Sequence, residues 1–218
     1  NIPSATLQLW DGKQVVLESR IIAGKPSTPT PTLSSRVTES ILYPFWHVPY
    51  KIAVNELLPR IKQDRNYLEA NNFQVLLNGR VVDPSAIKWN SLSRNHFPYT
   101  IRQSTGCDNS LGIIKLNFYN PFSVYLHDTP NKTLFGMNKR FFSHGCMRLE
   151  KAEELARFIS GNNTAALDSL SIELCRKDQA PVTVPAQKNY PIFVVYHTAW
   201  PDAGGHLRFF EDIYHKEK

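Results

Sequence analysis

The residues that carry chemistry concentrate in Ser143-His144-Gly145-Cys146-Met147-Arg148-Leu149 and, upstream, in His127-Asp128-Thr129-Pro130. Gly145 has no side chain and so leaves room for a close approach to the backbone next to the cysteine. Arg148, and a protonated His144, would lower the pKa of the Cys146 thiol and so raise the fraction of reactive thiolate. A nucleophilic cysteine also needs a base that takes its proton. His127 is the candidate, because it follows an apolar run, 122–126, that is typical of a strand.

Cys146 has three other interpretations. A lone cysteine is most often a small buried hydrophobic residue. A structural zinc site needs four ligands, commonly in close pairs, and no second pair accompanies His144 and Cys146. A papain-like cysteine protease would use the same nucleophile chemistry, but the sequence lacks the papain-like flank and its strand-rich pattern does not suit that fold. We therefore expect no metal site and no cofactor.

His127 followed by Ser143-His144-Gly145-Cys146-Met147-Arg148 resembles the signature of the L,D-transpeptidase (YkuD-type) catalytic domain. The resemblance extends to the branch of large periplasmic L,D-transpeptidases that carry a lid subdomain inserted in the catalytic domain. Many relatives have Asn where this sequence has Arg148, and Arg is typical of that branch. Further segments that resemble the branch are 125–130, 109–112, 46–49 and 196–200.

The resemblance implies a fold class, a domain organisation and a mechanism. We expect residues 1–218 to form one mainly β catalytic domain, with a YkuD-like sandwich or barrel core, an inserted α+β lid at 50–99 and a helix after the catalytic cysteine. The expected reaction is acyl transfer on peptidoglycan stem peptides, giving 3→3 cross-links. The alternatives are an L,D-carboxypeptidase, an amidase that detaches wall-linked proteins and, with less support, a non-catalytic wall-binding module.

Each site residue has an expected role. Cys146 is the nucleophile, His127 the base, and His144 a supporting residue. The backbone N–H groups of Gly145 and Cys146 are expected to form the oxyanion hole, and the Asp128 carbonyl, more than its carboxylate, to steady the base. For Arg148, binding of a substrate carboxylate and a salt bridge with Glu150 or Asp128 stay open. The remaining residues expected near substrate are Ser143, Tyr125 and Trp46, although core packing is the stronger interpretation of Trp46.

Composition narrows the class of partner. Lys and Arg exceed Asp and Glu by 25 − 19 = 6 among 218 residues. The positive residues are scattered, so we expect no nucleic-acid partner. A modest positive field suits an anionic wall polymer. No segment approaches the roughly 20 apolar residues that span a bilayer, and no signal peptide stands at Asn1. We interpret the chain as a mature or trimmed segment from the periplasm or cell envelope, and we expect carbapenems to inhibit it.

Three cysteines are an odd number. In an oxidising compartment Cys107 and Cys175 could pair and leave Cys146 free. This pairing is a hypothesis that the sequence does not decide, and the sequence also predicts nothing about oligomeric state.

Along the chain, periodicity predicts the main elements. Residues 5–23 form a hairpin that turns at Asp11-Gly12. Strands follow at 33–43, 99–103, 113–119, 182–185 and 191–200. Asn55 is predicted to cap a helix that has Pro59 in its first turn. The clearest helix spans 150–160, because its apolar residues recur at helical spacing and Gly161 closes it.

Overall fold

The computed structural model describes residues 1–170, 176 and 179–216. Its strands, in chain order, are β1 (Thr6–Asp11), β2 (Gln14–Gly24), β3 (Leu33–Leu42), β4 (Trp46–His47), β5 (Phe73–Leu77), β6 (Arg80–Val82), β7 (Thr100–Gln103), β8 (Ile114–Phe118), β9 (Leu126–His127), β10 (Phe141–Ser143), β11 (Met147–Leu149), β12 (Val182–Val194), β13 (Ala199–Pro201) and β14 (Leu207–Phe209).

Helices are fewer and mostly short. They are α1 (Tyr50–Ile52), α2 (Leu58–Gln63), α3 (Tyr67–Ala70), α4 (Ala152–Ser160) and α5 (Ala165–Asp168). A π-helical segment, Ala53–Leu57, joins α1 to α2, and single 3₁₀ turns occupy Pro84–Ala86, Trp89–Ser91 and Lys132–Gly136. The chain is therefore mainly β, as predicted.

The main sheet has the strand order β1-β2-β11-β9-β8-β3-β12, and β10 pairs with β2. Neighbours are antiparallel except for β9 with β11 and β2 with β10. The parallel pair at the centre brings the segments around His127 and Cys146 side by side, although many residues separate them in the chain. This pairing fixes the position of the site.

Helix α4 packs on the core of the main sheet. Ala152, Leu155, Ala156 and Ile159 are buried, so the helical spacing of apolar residues is confirmed as the buried face. Its first turn carries two glutamates, which suit the positive end of the helix dipole. The hairpin of β1 and β2 is confirmed too, with Gly12 at φ +59° in the turn. Glycine adopts this backbone region without a steric cost.

A second sheet has the order β4-β7-β5-β6 and its own hydrophobic core. The core includes Val75, Ile101, Leu57 and Ile61, which come from the sheet and from the helical run beside it. The predicted lid at 50–99 lies inside this unit, but β4 and β7, which flank that range, also belong to the second sheet. Residues 46–103 therefore form the unit, because strands at both ends of the insertion close its sheet.

Two sequence-based predictions in this part of the fold were wrong. Asn55 does not cap a helix, since helical structure runs continuously from Tyr50 to Gln63. Proline lacks an N–H and crowds the carbonyl four residues earlier, and the π-helical segment before Pro59 widens the helix at that point. The second difference concerns the two strands predicted at 182–185 and 191–200. Residues 182–194 form one long strand, β12, whose register with β3 shifts between Pro185 and Tyr190. Residues 195–198 are not strand, and Ala199 and Trp200 belong to β13.

The two cysteines among the described residues differ in state. Cys107 is disulfide-bonded, and Cys146 is a free thiol. The predicted partner of Cys107, Cys175, lies outside the described residues. The described helices include none that is long and apolar enough to cross a membrane.

Candidate active site

Three neighbouring strands place charged and aromatic side chains on one face of the main sheet. Lys115 of β8 lies opposite His127 of β9, and His127 lies opposite Arg148 of β11. Side chains alternate along a strand, so Leu126 and Met147 point to the other face, where they are buried in the core. The sheet thus presents a histidine between two cations on the face opposite its core.

Cys146 lies one residue before β11, beside Tyr125. The backbone N–H and the hydroxyl of Tyr125 both hydrogen-bond to the Cys146 sulfur. Burial raises the pKa of the Cys146 thiol, while the Tyr125 hydrogen bonds and the charges of Lys115 and Arg148 act in the opposite direction. The resting group is a partly buried thiol, and its thiolate would find donors and cations already in place.

His127 is buried, with 4% of its surface exposed. Its Nδ1 lies 2.5 Å from the carbonyl oxygen of Asp128. A carbonyl only accepts hydrogen bonds, so Nδ1 carries the proton and Nε2 is the basic nitrogen of the neutral ring. Burial, followed by the charge of Arg148, lowers the pKa of His127 from 6.5 to about 3. The imidazole is therefore neutral in the resting site.

The carboxylate of Asp128, unlike its carbonyl, binds partners other than His127. Its Oδ2 accepts from the backbone N–H of Ile113 at 3.1 Å, and Oδ1 forms an ion pair with Lys132. Gly112 packs against this carboxylate, and a Cβ at Gly112 would come within 2.3 Å of Oδ2. The carboxylate anchors the turn after β9, and the carbonyl of the same residue faces His127.

Arg148 forms no ion pair with an acidic side chain of the described residues. Its Nε is buried and has no hydrogen-bond partner. The two acids that were candidates for a salt bridge pair elsewhere, Glu150 with Arg20 and Asp128 with Lys132. Burial lowers the pKa of Arg148, while the charge of Cys146 opposes that change. An unpaired, partly buried guanidinium is suited to an anionic ligand.

Comparison with known proteins gives a consistent result. The family model described as the L,D-transpeptidase catalytic domain (YkuD) matches residues 1–184. The chain belongs to this family. A curated relative from Haemophilus influenzae, named "Putative L,D-transpeptidase", is 37% identical over 215 residues, which is 98% of this chain and 43% of that protein. The chain thus spans less than half the length of this relative.

One solved structure, "Structure of the Ldtfm-avibactam carbamoyl enzyme", also aligns with this L,D-transpeptidase chain. The alignment covers 71% of this chain and 41% of the other, at 15% identity with a TM-score of 0.34.

Ser143 and Gly145, which were expected to contact the substrate or its oxyanion, form hydrogen bonds within the loop 143–146. The N–H of Gly145 donates to Ser143 Oγ at 3.1 Å, and the Ser143 hydroxyl donates to the Cys146 carbonyl at 2.5 Å. Ser143 is 2% exposed, and both of these hydrogen bonds lie within the loop, so its hydroxyl shapes the loop before Cys146. Its role in substrate binding stays a prediction, and the Gly145 N–H already has an acceptor. Gly145 has φ +116°, which explains why a glycine precedes the cysteine.

The Pro- and Thr-rich segment at 24–31 braces this loop from behind, a role that the sequence did not reveal. The Thr30 hydroxyl donates to the Gly145 carbonyl at 2.9 Å and accepts from the Gly24 N–H at 2.8 Å. The Ser143 carbonyl accepts from the Lys25 N–H at 3.0 Å and from the Thr28 hydroxyl at 3.2 Å. The loop before Cys146 is consequently tied to the end of β2.

The Thr30→Val variant should lose about 2–4 kcal/mol of unfolding free energy, because an isosteric methyl leaves two buried polar groups, at Gly24 and Gly145, without a partner. Thr30 is fully buried. Urea unfolding followed by circular dichroism measures the loss. Thr28→Val is the matched control, since it removes one partly buried hydrogen bond and should cost less. Equal losses in both variants would contradict the buried-relay explanation.

Two contacts connect the second sheet unit with the site. The Trp46 indole hydrogen-bonds to the Tyr125 hydroxyl, and its ring packs against Phe73 with centroids 6.2 Å apart. His144 Nε2 lies 2.7 Å from Glu56 Oε1. Trp46 therefore packs in the second unit and touches the site through Tyr125, and His144 faces that unit across the surface. No group of three or more potential metal ligands occurs within the described residues.

The neutral, buried His127 makes stability depend on pH. Its pKa is about 3 in the folded chain against 6.5 ordinarily, so the unfolded chain binds more protons between these values. Stability should fall as the pH drops through this window, by up to about 1.4 kcal/mol per pH unit. Urea unfolding at pH 7 and pH 4.5 should show a smaller difference for His127→Gln than for the wild type. An unchanged difference would assign the effect to other groups.

Proposed function

We propose that this chain is the catalytic part of a peptidoglycan L,D-transpeptidase that forms 3→3 cross-links through an acyl-enzyme on Cys146. The observation that carries the proposal is the free Cys146 thiol, which receives two Tyr125 hydrogen bonds on the face where His127 stands between Lys115 and Arg148. Family membership supports the reaction class, and the likeness to the Haemophilus influenzae relative covers nearly the whole chain.

In the first step, His127 Nε2 takes the Cys146 proton. The thiolate attacks the carbonyl carbon between the third, L-centred residue and the fourth, D-residue of the stem peptide. A C–S bond forms, the C–N bond breaks, and D-alanine leaves with the proton that the imidazolium returns to its nitrogen. The Asp128 carbonyl, 2.5 Å from Nδ1, keeps the ring in the tautomer that this transfer requires.

Substrate binding should make His127 a better base. Arg148 is the second largest cause of its low pKa, after burial. A substrate carboxylate that pairs with Arg148 compensates its charge, and the pKa of His127 then rises towards its ordinary value. The same pairing would give a counter-charge to Arg148, whose buried Nε has no hydrogen-bond partner. The base would thus become stronger when a substrate is present.

The oxyanion of the tetrahedral intermediate needs donors from the Cys146 loop. Because the Gly145 N–H already donates to Ser143, we retain the Cys146 N–H as the proposed donor from this loop. The Tyr125 hydroxyl hydrogen-bonds to the Cys146 sulfur and is the additional donor that we propose on this face. His144 contributes by holding the loop against Glu56, not by touching the substrate.

In the second step, an amine of a neighbouring stem attacks the thioester, and the thiolate leaves and is reprotonated. By family resemblance, the acceptor is the side-chain amine of meso-diaminopimelate. Water at the same position would give an L,D-carboxypeptidase. An amidase would take the amide linkage of a wall-bound protein as the bond cleaved in the first step and water as the acceptor in the second. The proposed partners are peptidoglycan stem peptides, with carbapenems as acylating inhibitors, and the proposed location is the periplasm or cell envelope.

Mass spectrometry of purified tetrapeptide muropeptides incubated with the chain tests this proposal. We expect dimers linked 3→3 and release of free D-alanine. Tripeptides without dimers would replace the transpeptidase by the carboxypeptidase. Unchanged muropeptides, from a preparation whose fold is verified by circular dichroism, would contradict both reactions.

A further inference from the structure

A cleft lies beside the Cys146 site, on the face of the main sheet that carries Lys115 and His127. Its volume is about 290 Å³, and it runs from Lys115 and Tyr125 along β8 to the turn that joins β8 to β9. Its lining includes Asn117, Tyr119 and Ser123 as well. Of its lining residues, only Lys115 and Tyr125 take part in the roles assigned above, and no role was assigned to the rest of the cleft. Lys115 is its cationic group and also lies within electrostatic reach of the Cys146 sulfur.

Lys115 is held in position but lacks an acidic partner. Its Nζ lies 4.4 Å from the centroid of the Tyr125 ring, a cation–π contact that fixes the direction of the side chain. Across the described part of the chain, no carboxylate forms an ion pair with it. Its acidic neighbour across the sheet, Glu39, instead accepts a hydrogen bond from Asn117 at 2.7 Å. The ammonium therefore keeps its capacity for an anion from outside.

Partial burial of Lys115 carries a cost. Burial lowers the pKa of Lys115, and negative charge at Cys146 or Glu39 opposes this change. A partly desolvated cation without a paired anion is unfavourable unless a ligand supplies the charge. Asn117 and Ser123 provide polar groups along the cleft. The position suits a compact anion that can also accept hydrogen bonds.

We propose that the cleft at Lys115 is a second carboxylate-binding subsite, separate from the one at Arg148, for another carboxylate of the peptide substrate. Lys115 and Arg148 lie opposite His127 on its two sides, one strand away each. Adjacent strands are about 4.8 Å apart, so the two cations stand on backbones about 10 Å apart. Lys115 is held over the Tyr125 ring, and Arg148 lies on the other side of His127, so a peptide with several carboxylates can engage each cation with a different one.

This inference rests on the proposed function, which supplies a stem peptide with several free carboxylates. A free tetrapeptide stem contains carboxylates on D-glutamate, diaminopimelate and the terminal D-alanine. The subsite would bind one of these while Arg148 binds another. It would favour stems whose carboxylate is free over stems in which the same group is amidated, since a carboxamide carries no charge.

Isothermal titration calorimetry with synthetic tetrapeptides tests the subsite without requiring turnover. The free acid and three peptides, each amidated at one carboxylate, are titrated into the Cys146→Ala chain and into the same chain with Lys115→Met. We expect amidation of one particular carboxylate to weaken binding about tenfold or more in the first chain and to have no effect in the second. The identity of that carboxylate distinguishes the three sources.

Matched variants separate charge from packing. Lys115→Arg should keep the preference for the free carboxylate, because it keeps the charge. Lys188→Met is the control for loss of a lysine, since Lys188 also lies over a tyrosine ring, 5.1 Å from the centroid of Tyr190, and does not line the cleft. It should leave the ranking of the four peptides unchanged.

Several outcomes would overturn the subsite. The ranking of the four peptides could be the same with and without Lys115, or no peptide could bind detectably. Lys115→Met in the otherwise wild-type chain could also slow turnover of the free-acid and the amidated peptides equally; Lys115 would then act only through the Cys146 thiol, whose pKa its charge lowers. A wild-type chain without turnover, combined with a lost carboxylate preference in Lys115→Met, would support the subsite while refuting the proposed reaction.

Discussion

The Cys146→Ala variant should form no 3→3 dimer, release no D-alanine and gain no mass on incubation with a carbapenem. The variant lacks the atom that would carry the acyl group, so the rate should fall by a factor on the order of 10⁴ or more. Intact mass spectrometry reads out the carbapenem adduct, and muropeptide analysis reads out the reaction. Both measurements depend on the same sulfur, which is the free thiol of the described chain.

The loss of activity in Cys146→Ala should come from the missing sulfur and not from unfolding. Cys146 is only partly buried, and alanine keeps the backbone carbonyl that accepts from Ser143. The unfolding free energy should therefore change by about 1 kcal/mol or less. Cys146→Ser is the matched control, because its hydroxyl retains a hydrogen bond with Tyr125 but is a much weaker nucleophile at neutral pH. A dimer formed by either variant at the wild-type rate would show that Cys146 is not the nucleophile.

The sequence predicted the parts of this molecule that depend on local patterns. The Asp11-Gly12 turn, the strand at 33–43 and the helix after Cys146 each follow from residue periodicity or turn chemistry, and each is present. The mainly β class follows from the same patterns. The family signature added the pair of His127 and Cys146, which spacing alone does not bring together. Their proximity comes from the parallel pairing of β9 and β11.

The remaining features depend on contacts between distant segments, and no local pattern reports these. Lys115 looks like any strand lysine until β8 pairs with β9. Thr30 looks like one residue of a Pro-rich loop, yet it bonds to Gly145, which is 115 residues away. The hydrogen bond from the Gly145 N–H to Ser143 Oγ depends on the side-chain rotamer of Ser143, which the sequence does not specify. The continuous helical run was missed because a π-helical segment tolerates Pro59, which a regular helix interior would not.

A second large effect on the acylation rate is expected from replacing the histidine proposed as the general base, His127 and not His144. His127→Gln should lower the acylation rate by about 10²–10⁴-fold, the usual contribution of a positioned general base. Glutamine keeps a donor for the Asp128 carbonyl but has no basic nitrogen, so the variant separates the proton transfer from the hydrogen bond. His144→Gln should retain the rate within about tenfold, because His144 Nε2 is engaged with Glu56 at the surface.

The acylation rate is measured by stopped-flow mixing with a carbapenem and confirmed by intact mass. Both histidines precede Cys146 in the sequence, but only His127 is buried between the Lys115 and Arg148 strands, with its Nδ1 against a carbonyl oxygen. A surface contact such as that of His144 with Glu56 contributes about 0–1 kcal/mol, which limits the effect of its loss. A wild-type rate in His127→Gln, together with a large loss in His144→Gln, would move the base to His144 and require the catalytic loop to turn away from Glu56.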